Sequence, residues 1–242
     1  MGIPDPADNV HSCMRIDVFT LFPEWFEWLR SQRHMANLLS GGTELHTFHW
    51  RETTPLTGGQ VDDSPYGGGA GMVLRVDVVD AALRAAYGAE GPARPARTVV
   101  LAPTGRQFDD ALAEELSREE HVALLCGRYE GFDERVHEHL ATDVVSIGPY
   151  VIAGGELAAM VVADAVTRKL PGALGHEDSA LEESFSPALG GAPEYPHFTR
   201  PAEYRGWGVP DVLLSGDHAR VREWRLSQSR DRYHSRPHRP PP

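Results

Sequence analysis

At 242 residues, with 41% hydrophobic and 24% charged side chains and a formal net charge of −12, the chain has the composition of an ordinary soluble globular protein. It is long enough for one large domain, or a large and a small one. No apolar run approaches the roughly 18 residues that a membrane-spanning helix needs. Two cysteines, Cys13 and Cys126, give neither a disulfide framework nor zinc spacing and fit a reducing cytoplasm.

The first 13 residues lack the apolar core of a signal peptide and lead to a second methionine, Met14, so residues 1–13 are read as a flexible extension. Arg15 to Phe22 alternates as a strand, and Pro23-Glu24 opens a helix to about Leu39. Leu45 to Trp50 is a second strand. Val76 to Tyr87 is a helix with Val79, Leu83 and Ala86 on one face, closed by Gly88. Then come a buried strand at Thr98–Ala102, a helix from about Asp109 to Ser117, and a strand at His121–Cys126 that makes Cys126 a core thiol. A short helix, Asp133–Leu140, a strand, Asp143–Ile147, and a helix, Glu156–Leu170, complete the series. This alternation predicts an α/β fold with a mostly parallel sheet covered by helices, over residues 14–170.

From 171 to about 210 the periodicity is lost, with prolines at 187, 193, 196 and 201. A structureless stretch of that length is a linker or a functional loop. Leu214-Ser215-Gly216-Asp217 then caps a helix reaching about Arg230, so residues 211–242 form a small helical C-terminal domain with a disordered Pro-rich end. Between His218 and Arg239 stand seven arginines against Glu223 and Asp231. The acidic total argues against a nucleic-acid partner, but this local excess suits phosphate recognition. A solvated helix face explains the same charges equally well.

Three connections share one character. Pro103-Thr104-Gly105, Cys126-Gly127-Arg128-Tyr129-Glu130-Gly131 and Ser146 to Glu156 each follow a strand and are rich in glycine or proline. Open α/β folds bind ligands at the carboxyl ends of their strands. One such loop would need only turn geometry to explain it. Three argue for a single pocket, lined by backbone amides with Tyr129, Glu130 and Tyr150, and suited to a heteroaromatic ring with ribose rather than a polyphosphate. The segment Asp62 to Met72 is glycine-rich but lacks the Lys-Ser/Thr of a P-loop, and the Asp-Asp-Ser-Pro that opens it is a turn signal where a dinucleotide fingerprint needs a strand. Arg168 and the acidic run Glu177-Asp178 and Glu182-Glu183 could supply a guanidinium and carboxylates for charge stabilisation and general-base work, although by itself such a run reads first as a solvated loop. His137 and His139, two apart on a helix, point to different faces, and no metal triad is visible.

The motifs Val61-Asp62-Asp63, Pro65-Tyr66-Gly67-Gly68-Gly69, Gly71-Met72, Cys126 to Gly131, Ser146-Ile147-Gly148, Gly154-Gly155-Glu156, Pro171-Gly172, Leu174-Gly175, Tyr195 to Pro201 and Val212 to Ala219 occur in the order of one known family. Over roughly residues 14 to 236 the chain resembles the bacterial tRNA (guanine-N1)-methyltransferases of the TrmD family. The resemblance implies S-adenosylmethionine as methyl donor, guanine 37 of tRNA as acceptor and magnesium dependence. It also implies a cytoplasmic homodimer with no membrane association, whose active sites are each completed by the linker and C-terminal domain of the other subunit. It further implies a deep trefoil knot, which no sequence pattern suggests.

Carried onto this sequence, the cofactor contacts are Pro103, Gly127, Tyr129, Glu130, Ile147, Gly148, Tyr150, Val151, Ile152, Gly154 and Gly155. Arg168 stabilises charge on guanine O6, Glu183 takes the N1 proton, and the basic C-terminal helix holds the anticodon arm. Three departures stand out. Glu183 replaces the family's aspartate, with similar intrinsic acidity and one more methylene, which predicts retained but slower chemistry. Pro149 also replaces an aspartate and removes an amide donor. Gly58-Gly59-Gln60 replaces a segment bearing histidine. The departures leave two other readings open: a knotted methyltransferase for another RNA or a small molecule, and a non-catalytic RNA-binding relative.

Overall fold

A computed structural model describes residues 13–88, 95–173 and 183–235. The chain divides into two compact units, Met1–Gly175 and His176–Pro242. Most of the extension 1–13 and the Pro-rich end lie outside the described residues, as do Glu177, Asp178 and Glu182.

The first unit is built on five parallel strands: β1 (Arg15–Thr20), β2 (Glu44–His49), β5 (Arg97–Gln107), β6 (His121–Cys126) and β7 (Asp143–Ser146), in the order β2-β1-β6-β5-β7. Their side chains alternate between two apolar cores, as the period of a strand requires. Ile16, Val18, Val99, Leu101, Val122, Leu124, Cys126 and Val145 point to one face. That face is covered by α1 (Phe26–Ser31), α2 (Arg33–Ser40), α4 (Asp110–Ser117) and α6 (Gly155–Thr167). Phe19, Val100, Ala123 and Leu125 point to the other, under α3 (Val76–Tyr87) and α5 (Glu134–His139), with Trp50 and Phe132 filling the gap. A sheet buried on both faces explains the continuous apolar run of β6 and the buried side chains from Ile16 to Thr20 of β1. Each fully buried Leu, Val or Phe contributes roughly 1.5–3 kcal/mol.

The helix expected from Pro23 to Leu39 is three pieces. A 3-10 turn at Pro23–Trp25 runs into α1, and Gln32 at ψ 138° separates α1 from α2. Trp50 belongs to a 3-10 turn rather than to the second strand; it is wholly buried, and its Nε1–H donates to the Cys126 carbonyl at 3.2 Å. Asp109 and Asp133 cap α4 and α5 by accepting from the Leu112 and Arg135 amides.

A third departure is β5. It does not stop at Ala102 but continues to Gln107, and Val145 of β7 is paired both with Leu101 and with Arg106. The four residues between bulge outward at the carboxyl end of the sheet. Gly105 allows this, because a Cβ there would stand 2.4 Å from the Val145 nitrogen.

The amino ends of the strands hold a polar cluster. Asp17 is fully buried and accepts from Arg15 Nε at 2.9 Å and the Tyr87 hydroxyl at 2.7 Å, with His121 Nε2 at 2.8 Å. Burial pushes its carboxyl up, but these three partners outweigh that and hold it below the ordinary range. Arg97 grips Asp143 with two nitrogens, at 2.7 and 2.6 Å, at the same edge.

In the second unit, the Pro-containing segment has its own structure. A 3-10 turn at Pro187–Leu189 and a two-stranded antiparallel ribbon, β8 (Glu203–Tyr204) with β9 (Trp207–Gly208), precede a short helix, Asp211–Leu214. The long helix runs from His218 to Ser235, beyond the expected end at Arg230, with Asp217 Oδ1 capping the amides of Ala219 and Arg220.

Candidate active site

The three loops meet around one cavity of about 450 Å³ at the carboxyl ends of β5, β6 and β7, within the roughly 300–1,000 Å³ typical of small-molecule sites. The β5 bulge contributes Leu101 to Thr104. The loop after β6 contributes Gly127 to Phe132, and the loop after β7 contributes Ile147, Gly148 and Tyr150 to Gly155. Pro103, Gly127, Tyr129, Glu130, Ile147, Gly148, Tyr150, Val151, Ile152, Gly154 and Gly155 all lie on its wall.

Local chemistry fixes each loop. The Gly155 amide donates to the Gly127 carbonyl at 2.8 Å, which closes the second loop against the third. A Cβ at Gly155 would lie 2.8 Å from Cys126 Cα and 2.9 Å from the Gly127 nitrogen, so only glycine lets α6 start there. Tyr129 sits at φ 60°, an uncommon value for a bulky residue. Its neighbour's amide, Glu130 N–H, donates to the Met72 carbonyl at 2.9 Å, so the Asp62–Met72 segment buttresses this loop from β3 (Asp62–Asp63) and β4 (Val73–Leu74).

Pro149 is exposed and is not part of the wall. The Tyr150 amide donates to the Gly148 carbonyl at 2.9 Å across it, and Ser146 Oγ takes the Gly148 amide at 3.2 Å. This two-residue closure is a γ-turn, whose central φ proline already supplies. The missing amide therefore costs the loop no internal bond.

Burial pushes the Cys126 thiol well above its ordinary value, with Glu156 adding to the rise. It is a core thiol, not a nucleophile.

Sequence reasoning overlooked Phe132, Glu134, His137 and Ala158, which also line the cavity, and the partners of Arg128. Glu156 is wholly buried and joins Thr20 Oγ1 at 2.9 Å to Arg128 Nε at 2.9 Å. The signal for it was a carboxylate in the first turn of an apolar helix. Its partners are 136 and 28 residues away, too far for local spacing to reveal.

Arg168, one of the two expected catalytic residues, does not line this cavity in its own chain. Arg168 follows the last turn of α6, and its amide donates to the Asp164 carbonyl. Gly155, at the other end of that helix, lines the cavity; at about 1.5 Å per residue the separation is roughly 20 Å. Glu183 belongs to the second unit, where its carbonyl accepts from the Ser186 amide at 3.1 Å. In that unit a second cavity, about 240 Å³, is lined by Tyr195, His218, Arg222, Arg225 and three apolar residues. The Arg225 guanidinium lies 4.7 Å over the Tyr195 ring. Among the described residues, no group of three His, Cys, Asp or Glu side chains is arranged to hold a metal. Nor is any helix among them long and apolar enough to cross a membrane.

Comparison with known proteins adds the remaining evidence. Residues 14–240 match the family model of tRNA (Guanine-1)-methyltransferase TrmD. The tRNA (guanine-N(1)-)-methyltransferase of Brevibacillus brevis is 52% identical over 219 residues, 89% of this chain and 86% of that protein. The protein of that name from Dehalococcoides mccartyi is 47% identical over 221 residues, 89% of this chain and 86% of its own length. The one from Listeria welshimeri is 44% identical over 224 residues, 92% of this chain and 90% of its own length. By sequence over nearly its whole length, this chain belongs to the TrmD family of tRNA (guanine-N1)-methyltransferases.

Proposed function

We propose that this chain methylates N1 of guanine 37 in tRNA, with S-adenosylmethionine bound in the cavity formed by the three strand-end loops. The observation that carries this reading is the convergence of those loops, in a chain of this family, on one cavity large enough for a nucleoside. Its fit to the donor rests on chemistry: aromatic rings at Tyr129 and Tyr150, backbone groups of a glycine-rich loop, and apolar walls from Leu101 and Ala158. The bound donor supplies a methyl group already activated by a positively charged sulfur. The protein then needs only to align the acceptor and remove its proton. In this reading Glu183 takes the N1 proton onto its carboxylate, which frees the nitrogen lone pair for in-line attack, and Arg168 balances the charge that develops on O6.

A homodimer is part of the proposal. Arg168 lies at the end of α6 remote from the cavity of its own chain, and a second copy would bring it to a site. α6 turns Leu157 and Val161, one turn apart, to solvent at 53% and 47% exposure, and α1, packed beside it, leaves Trp28 62% exposed. Apolar groups at this spacing suit burial against a partner. The deep trefoil knot belongs to the same reading, as what membership of the family implies. His218, Arg222 and Arg225, around the cavity of the second unit, suit phosphates of the anticodon arm. Magnesium is taken as a requirement of the reaction, and the cytoplasm, where tRNA matures, as its place.

The test is transfer from labelled S-adenosylmethionine to tRNA transcripts carrying G37 or A37, with and without a magnesium chelator and with the methylated position mapped. Transfer confined to G37 and reduced by the chelator is expected. Measurable cofactor binding without transfer to G37 overturns the reading, in favour of another acceptor or a binding protein.

A further inference from the structure

Among the described residues, the cavity wall contains one guanidinium, that of Arg128, whose side chain is 15% exposed. It is held from three directions. Its Nε donates to Glu156 Oε2 at 2.9 Å, its Nη1 reaches the Ala153 carbonyl at 3.4 Å, and its guanidinium lies 4.3 Å over the Phe22 ring and 5.0 Å over Trp25. It also passes so close over Gly154 that a Cβ there would stand 2.3 Å from its Nε. Thr20, on the same strand end as Phe22, reaches the other oxygen of Glu156, and its hydroxyl also accepts from the Phe22 amide at 2.9 Å.

We propose that Arg128 is a positioning residue: a clamp, fixed by Glu156, Thr20, Phe22 and Trp25, that sets the shape of the Ala153–Gly155 stretch and so the affinity of the cavity for its ligand. The argument is geometric. Glu156, Thr20, Phe22 and Trp25 do not line the cavity, so they act on it only through what they hold. What they hold is a flat cation pressed on the backbone of the third loop and rooted in the second. Three segments distant in sequence, the end of β1, the loop after β6 and the start of α6, are therefore locked together at the cavity by one side chain. A planar guanidinium can stack on Phe22 and Trp25 while its edge meets Glu156; a lysine ammonium, a compact point charge, cannot do both. The carboxylate and the guanidinium neutralise each other, so the clamp adds no net charge to the ligand site.

The inference rests on the proposed function for the identity of the ligand, and the experiment separates the two. S-adenosylmethionine is titrated calorimetrically into the full-length protein, and KM is measured for cofactor and for tRNA separately. Removing Arg128 alone strands a buried carboxylate, so the paired variant Arg128→Met with Glu156→Gln removes both charges and keeps the side-chain volumes. Trp25→Ala removes one stacking face outside the cavity. Expected are a tenfold or greater rise in cofactor Kd and KM for the paired variant and threefold or more for Trp25→Ala. The KM for tRNA should stay within twofold, melting temperatures should stay near wild type, and Arg128→Lys should recover only part of the loss. If wild type binds the cofactor and both variants bind it within twofold of wild type, the clamp is wrong and the function stands. If KM for tRNA rises in parallel, Arg128 acts on the acceptor, and the inference is equally overturned. If wild type itself shows no binding, the functional reading fails, and the clamp with it.

Discussion

Gly155 occupies a point where the backbone of β6 and the start of α6 nearly touch. Gly155→Ala must push them apart, because the obstructing atoms are backbone and cannot rotate away. The expected result is a cofactor Kd at least tenfold weaker and a stability loss of about 1–3 kcal/mol, read by calorimetry and chemical denaturation; wild-type affinity would show that the loop yields. On the proposed assignment, Glu183→Gln keeps the shape and removes the base, so kcat should fall by roughly 10²–10⁴ with little change in cofactor Kd. Unchanged turnover would move the base to Glu182 or Asp178, both outside the described residues. Asp17 illustrates a residue that composition could not interpret. One acid in an apolar strand reads as an exception, and only the fold brings Arg15, Tyr87 and His121 to it. Its folded pKa is lowered, so its contribution is complete above the unfolded value of about 3.9 and is lost as pH falls through the folded one. Asp17→Asn should therefore cost about 2 kcal/mol near pH 7, and the gap to wild type should close below about pH 4.

At the level of elements, strand alternation and helical periodicity located all five strands of the main sheet and the helices that cover them, because burial on two faces leaves a strong apolar record. What escaped depends on contacts distant in sequence. Gln32 is not a helix breaker by type, and only the docking of α1 and α2 as separate pieces reveals the break. The continuation of β5 past Pro103 was illegible for the same reason: Gly105 matters through Val144 and Val145, which belong to another strand. The loops of the cavity were legible because glycine and proline record backbone demands locally. The Arg128 clamp was not, since each partner lies on another segment. Helix α6 carries the element-scale prediction. Its Leu157 and Val161 are apolar yet face outward from the core of the first unit. Val161→Arg should shift the protein toward monomer in analytical ultracentrifugation at micromolar concentration and cut transfer at least tenfold, because Arg168 would lack a cavity to serve. Cofactor binding should persist within a few-fold, since no residue of the cavity changes. A dimer of unchanged stability would rule this face out.

For the whole molecule, the charge distribution sets a division of labour between the two units. A net charge of −12 should repel tRNA, yet the helix His218–Ser235 concentrates arginine, so that helix is where a local attraction is expected. Arg222 and Arg225 are the sharpest test, because they line its cavity together with His218, and among the described residues no carboxylate lines it with them. Removing one cation that meets a phosphate should reduce the slope of log affinity against log salt by roughly 0.7–0.9. The double variant Arg222→Ala, Arg225→Ala should therefore lower that slope by about 1.4–1.8 and weaken tRNA binding about tenfold or more near 0.15 M salt. The cofactor Kd should not move, because the first unit builds its cavity alone. A weaker affinity with an unchanged slope would instead mean that the substitutions collapse the Tyr195 stack and leave the phosphate interactions intact. An unchanged affinity would place the RNA on another surface of the molecule, and the acidic first unit would then have to supply that surface from arginines set among its own carboxylates.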